Sequence, residues 1–179
     1  MSINDNGIME ALKENPQNGF RMLMAKYQEN VYWHIRRLVV SHDDAQDASQ
    51  ETFVRIYRSF GNYRGDCSLR SWIYRIATNE ALRIISKRRQ EVVSIESETT
   101  GVNLIQGDDY IDFDDKVAVK LQKAILSLPP KQQLAFNLRY YDEMDYDQIA
   151  QVAETTATTA RVNYHLAKEK IIRYMQQEL

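Results

Sequence analysis

Arg70, Arg75, Arg83, Lys87, Arg88 and Arg89 fall within twenty residues, interleaved with Trp72 and Tyr74. Six cations and two aromatic rings on one stretch suit non-covalent recognition of an anion. The same stretch carries an apolar stripe of Leu69, Trp72, Ile73, Ile76, Leu82 and Ile85, so one side of a helix would be anchored and the other offered. Near the other end of the chain Thr158, Thr159, Val162, His165 and Leu166 share one helical side, flanked by Arg161, Asn163 and Lys168. Arg and Lys can reach guanine edges or phosphates, Asn can pair with adenine, and Val162 can touch a thymine methyl. Bond-breaking chemistry has no comparable set. His34, His42 and His165 are scattered, and the sequence holds no HExxH, no Cys–His cluster and no glycine-rich phosphate loop. Asp108 and Asp109 are adjacent acids of the kind that are simply solvated. The sequence is therefore read as a binding protein, not an enzyme, with no metal and no cofactor.

The elements that must carry these residues are helices. Phe20, Leu23, Met24, Tyr27, Val31, Ile35 and Leu38 recur at three- and four-residue steps. Ser41 with Asp44 three residues on marks the start of the next helix, which carries Ala45, Ala48, Phe53, Ile56, Tyr57 and Phe60. GNYRGD (61–66) is a loop, and the basic run Lys87-Arg88-Arg89 marks the end of the cationic helix. Of Trp72 and Tyr74, two residues apart, Trp72 is expected in the core. In the second half Val117, Leu121, Ala124, Ile125 and Leu128 form one helix, which the Pro129-Pro130 pair ends. Leu134, Ala135, Leu138 and Tyr141 form another. YDEMD is a turn, Tyr146–Ala153 a short helix, and a three-residue break precedes a longer last helix with Ala157, Ala160, Tyr164, Ala167 and Ile171 buried. Two helices joined by such a turn fit a helix-turn-helix, and equally a helical hairpin packed on a bundle.

Charge divides the chain. Residues 91–115 hold eight acids and no Lys or Arg, leaving 23 cations against 17 anions elsewhere, so the net charge of −2 does not oppose a polyanionic partner. The expected organisation is all-α: a helical domain over 1–92, an acidic flexible linker over 93–115 and a helix-turn-helix domain over 116–179. A lone cysteine, Cys67, excludes an internal disulfide. With no apolar run near the ~20 residues that span a bilayer, a cytoplasmic location is expected.

LPPKQQLAFNLRYYDEMDYDQIA (128–150) and TTARVNYHLAKEKI resemble the C-terminal domain of the extracytoplasmic-function sigma factors, small members of the bacterial sigma-70 family. HDDAQDASQETFVRIYRSFGNYRGDCSLRSWIYRIATNEALRIISKRR resembles their promoter-melting domain. The resemblance implies an alternative sigma factor that binds core RNA polymerase, recognises −10 and −35 promoter elements and directs promoter opening. It places Asp44, Asp47, Gln50 and Glu51 against the polymerase. Tyr63, Arg64, Gly65, Asp66, Cys67 and Ser68 match the loop that captures bases of the melted non-template strand. Arg70, Tyr74, Arg75 and Asn79 would contact the −10 element, with Arg83, Lys87, Arg88 and Arg89 following phosphates. Thr158, Thr159, Arg161, Val162, Asn163, His165 and Lys168 would meet the −35 duplex. Glu154 stands where the family's turn commonly has Gly, and Asn163 and Leu166 replace usual basic residues. An anti-sigma factor, often membrane-anchored in this family, is a further implied partner. A stand-alone helix-turn-helix regulator is the alternative, and the acidic face from Asp44 to Glu51 discriminates the two.

Overall fold

The computed structural model describes residues 2–93 and 114–177, and every regular element there is helical. The chain runs through α1 (Asp5–Glu14), α2 (Pro16–Val39), α3 (His42–Ser59), a 3₁₀ turn (Phe60–Asn62), α4 (Leu69–Val93), α5 (Lys116–Leu126), α6 (Pro130–Tyr140), α7 (Tyr146–Ala153) and α8 (Ala157–Gln176). Most of the expected linker, with Glu96, Glu98 and Asp108 to Asp112, lies outside the described residues.

Local chemistry starts these helices. Asn4, Asn15, Ser41, Asp115, Asp145 and Thr156 each stand at an N-cap, their side-chain oxygens accepting an otherwise orphaned amide of the first turn. At the start of α6 Pro130 fills the first-turn position, where its missing N–H costs nothing. Instead of ending at Lys87-Arg88-Arg89, α4 continues to Val93.

The larger core joins both halves of the chain. Leu23, Val31 and Ile35 of α2, Ala48 and Ile56 of α3, and Ile73, Ala77 and Ala81 of α4 pack in one cluster with Leu138, Met144, Ile149 and Val152. A smaller cluster of Ala124, Ile125, Leu128, Phe136, Ala167 and Ile171 fastens α5 and α8 to α6.

Three expectations change. Tyr74 is wholly buried and Trp72 half-buried, the reverse of the expected order. Leu82 and Val117 are exposed, at 39% and 66%. The reason in α4 is that it has partners on two sides, α2 and α3 on one and α7 on the other. A helix so placed buries a wider arc than a single stripe, and its core face runs through Leu69, Ile73, Ala77 and Ala81 with Tyr74 and Thr78 beside them.

Candidate nucleic-acid interface

At the C-terminal end, α7 opens with a reciprocal cap: Asp145 accepts from the Gln148 amide at 2.8 Å, and the Gln148 side chain accepts from the Asp145 amide at 3.1 Å. It ends at Glu154, which takes the left-handed conformation (φ 55°, ψ 48°) that favours glycine. Thr156 then caps α8, accepting from the Thr159 amide at 3.1 Å and donating its hydroxyl to that of Thr159 at 2.9 Å. Ala160, buried against α7, permits close approach of the two helices. The result is a helix-turn-helix with a strained residue in the turn. Replacing Glu154 with Gly removes a steric cost of about 1 kcal/mol, while its exposed contact to Arg75 at 3.9 Å contributes little. Part of that gain is lost to the freer unfolded chain. The expected result for E154G is a melting temperature unchanged or raised by a few degrees; a clear fall would mean that the Arg75 contact dominates.

The outward face of α8 presents Thr158, Thr159, Arg161, Val162, His165, Leu166 and Lys168, all exposed. Arg161 is steadied by the Tyr146 ring, its guanidinium carbon 5.0 Å from the centroid. Asn163 departs from its expected place beside them. It is half-buried, because its angular position leans towards the side that carries Ala160 and Ala167.

The second surface is built on α4 and the loop before it. Tyr63 donates its hydroxyl to the Cys67 carbonyl at 2.5 Å and packs its ring on Trp72, centroids 5.2 Å apart, which folds residues 63–67 into a closed loop. Arg64 and Asp66 project from it, with Gly65 at φ 81° between them. Ser68 accepts from the Ser71 amide at 3.1 Å and so holds the start of α4. Along the helix Asn79, Arg83, Lys87 and Arg89 are exposed. Buried Glu80 holds one of them, Arg83, at 3.4 Å and also pairs with Arg55 of α3 at 2.5 Å.

Not every expected contact residue is available. Arg88 pairs with Asp44 and donates to the Val39 carbonyl at 3.1 Å, so a cation expected on DNA and an acid expected on polymerase hold each other. Asp47 and Gln50 are exposed, and Glu51 pairs with Arg55 at 3.2 Å. Gln50 also lines an open cavity of about 480 Å³ between α2 and α3, with Gln28, Glu29, Tyr32 and Gln46.

Arg70, Tyr74 and Arg75 point into the C-terminal helices. Arg70 donates to the Asp142 carbonyl oxygen at 2.6 Å, Tyr74 donates its hydroxyl to the Asp142 carboxylate at 2.8 Å, and Arg75 donates to the Gln151 carbonyl at 2.8 Å. Tyr74, expected on DNA, is thus shut off from solvent by the α6–α7 turn. Arg37 adds a cation over the Tyr141 ring, 4.2 Å from its centroid. Behind Tyr74, His34 is fully buried, its Nε2 2.8 Å from the Thr78 hydroxyl and its Nδ1 3.8 Å from the Asp142 carboxylate. Burial, with Arg37 and Arg70 nearby, pulls its pKa down to about 3, so it stays neutral. Burial pushes the Asp142 carboxyl up, against the opposing pull of the Tyr74 hydroxyl and the two arginines. Burial also raises the Tyr74 phenol, with the Asp142 charge adding to it.

Asp142 therefore organises the junction, and residue patterns missed it. Its partners on α2 and α4 are about seventy or more residues away in sequence, and YDEMD reads only as a turn. No cluster of His, Cys, Asp or Glu among the described residues could hold a metal ion, and none of their helices is long and apolar enough to cross a membrane.

Residues 23–91 match the model of sigma-70 region 2, and residues 118–171 that of sigma-70 region 4. The chain is 28% identical over 181 residues to the RNA polymerase sigma-H factor of Pseudomonas aeruginosa, covering 96% of this chain and 94% of that protein. It is also 28% identical to the ECF RNA polymerase sigma-E factor of Escherichia coli, over 97% and 95% of the two lengths. Among solved structures, the sigma factor RpoE of Bartonella quintana, in complex with the anti-sigma factor NepR, superposes with a TM-score of 0.71 at 19% identity, covering 89% of this chain and 98% of that one. CnrH in complex with the cytosolic domain of CnrY gives 0.68 at 17% identity, over 93% and 92%; at such identities the likeness is one of fold. Two sigma-70 regions in the family's order, on helices that carry two separate cationic faces, make this chain a member of the extracytoplasmic-function group of the sigma-70 family.

Proposed function

We propose that this alternative sigma factor holds the −10 element on α4 and the 63–68 loop, and the −35 duplex on the outward face of α8. Two units would carry the two contacts, 1–92 and 116–179, with the acidic residues between them as a linker. The observation that carries the reading is the pairing of an exposed helix-turn-helix face with a second cationic helix whose neighbouring loop is shaped by the tilted contact of the Tyr63 and Trp72 rings. Asn79, Arg83, Lys87 and Arg89 are placed to follow one strand, and Tyr63 and Trp72 offer ring faces to unstacked bases. Arg70, Tyr74 and Arg75 join them only after α7 has left α4, so the packed arrangement is the resting form and promoter engagement requires it to open. The exposed Asp47 and Gln50, beside the cavity between α2 and α3, are the surface assigned to core RNA polymerase. Because two structural neighbours were solved with a second protein bound, one of these named an anti-sigma factor, an inhibitor that stabilises the packed form is the expected further partner. As sigma factors generally do, the protein would position the polymerase in the cytoplasm and catalyse nothing itself.

The test is reconstituted transcription, with purified protein, sigma-free bacterial core polymerase and genomic DNA, mapping the 5′ ends of transcripts. Clustered new starts that share two spaced upstream motifs are expected. On such a promoter, R83A, K87A and R89A should each weaken holoenzyme binding and reduce its salt slope by roughly one. Tight promoter binding without core polymerase, and no transcripts with it, would instead make the protein a stand-alone regulator.

A further inference from the structure

The outward face of α8 has an unusual centre. Val162 and Leu166, 51% and 39% exposed, sit one turn apart in the middle of that face, left open by the described residues. Arg161 and Lys168 lie along one edge and Lys170 along the other, all exposed. Cations on both edges suit the two phosphate walls of a major groove, which leaves the centre for base edges. An apolar pair in that position has one complement on a base edge, the thymine 5-methyl group. Glu169, exposed on the same side one turn further on, would be repelled by phosphate and marks where the helix leaves the groove.

We propose that Val162 and Leu166 determine −35 specificity by contacting the methyl groups of two thymines. The inference rests on α8 being the −35 reader. Residues four apart on a helix are separated by about 6 Å along its axis, and base pairs by about 3.4 Å. The two thymines therefore belong to base pairs no more than about two steps apart. Such contacts read sequence without adding charge, so the affinity carried by this part of α8 responds little to salt.

The experiment uses holoenzyme, the full chain with core polymerase, and random duplex placed upstream of a mapped −10 element. Selection should enrich an upstream motif with A·T pairs at two positions. Each enriched thymine is then replaced singly by deoxyuridine, which removes only the methyl. The expected loss is about three- to four-fold in affinity at each of the two positions. V162A should abolish the thymine–uracil difference at one position and L166A at the other, with helicity and core binding unchanged. A motif without thymine, an indifferent response to deoxyuridine, or a difference that survives both variants overturns the inference and leaves the −35 assignment of α8 standing. Loss of core binding in the variants would also overturn it, by assigning the pair to a protein partner. If no upstream motif is enriched, the −35 reading of α8 falls as well.

Discussion

Cross-linking α7 to α4 should abolish promoter opening without preventing the protein from folding. The two helices are already docked: Arg75 of α4 donates to the Gln151 carbonyl of α7, while Arg70 and Tyr74 are taken up by Asp142 in the turn before α7. A short cleavable linker between R75C and Q151C, in a C67S background, makes that docking permanent. The covalent bond removes the open form, so activity on a linear promoter should fall in proportion to the cross-linked fraction. Cleaving the linker should restore the activity of the uncross-linked double variant, which controls for loss of the Arg75 side chain. Full activity in the cross-linked protein would mean that Arg70, Tyr74 and Arg75 contribute nothing to opening and that docking is compatible with promoter binding. The contact holding the two helices together is several hydrogen bonds to peptide and carboxylate oxygens over an apolar seam. Hydrogen bonds of this kind contribute about 1 kcal/mol each and the apolar seam adds to them, so the docking is reversed only by a partner that binds the open form more tightly than the packed one.

Acid should unfold the protein earlier than its surface charges suggest, through His34. In the unfolded chain this imidazole titrates near 6.5, and in the fold only near 3. Below pH 6.5 the unfolded state therefore takes a proton that the folded state refuses. Stability falls as pH drops through that window, by about 1.4 kcal/mol per unit and up to roughly 4–5 kcal/mol by pH 3. Asp142 acts with the opposite sign. Its carboxyl is pushed above the ordinary carboxylate value, so its stabilising contribution is lost as pH rises through the folded pKa and regained on acidification. The net expectation is a steep loss beginning near pH 6.5 that flattens at lower pH, where Asp142 takes up its proton. H34Q should remove most of the slope, and D142N should remove the flattening. Denaturant midpoints from pH 8 to pH 4 measure both, and a slope unaltered in H34Q would exclude His34 as its source.

Periodicity and end chemistry alone located the helices. The apolar steps from Phe20 to Leu38 mark α2 because a helix with one buried side must repeat at its own pitch. Ser41 and Pro130 mark starts because unpaired first-turn amides need an acceptor or must be absent. At the turn between α7 and α8 the family resemblance puts Glu154 in a glycine position, and the structure gives that residue the left-handed backbone. All of these are short-range properties, carried by residues within a turn or two of each other.

Tertiary structure decided which side chains are free to act. Trp72 and Tyr74 are equivalent as sequence, and only the presence of α7 against α4 makes Tyr74 the buried one. Arg88 and Asp44 look like two independent exposed charges until the end of α4 crosses the start of α3. Asn163 reads as a base contact from its type and as a half-buried residue from its angle. Asp142 had no signature at all, since its role depends on His34 and Tyr74 reaching it from distant helices. Amphipathic pattern records that a face is buried but not against which partner, whereas helix docking is a choice among faces made by shape and by the pairing of polar groups. Family, helices and the two cationic surfaces were therefore set by the sequence itself, and the capture of one surface by the other half of the chain only by the fold.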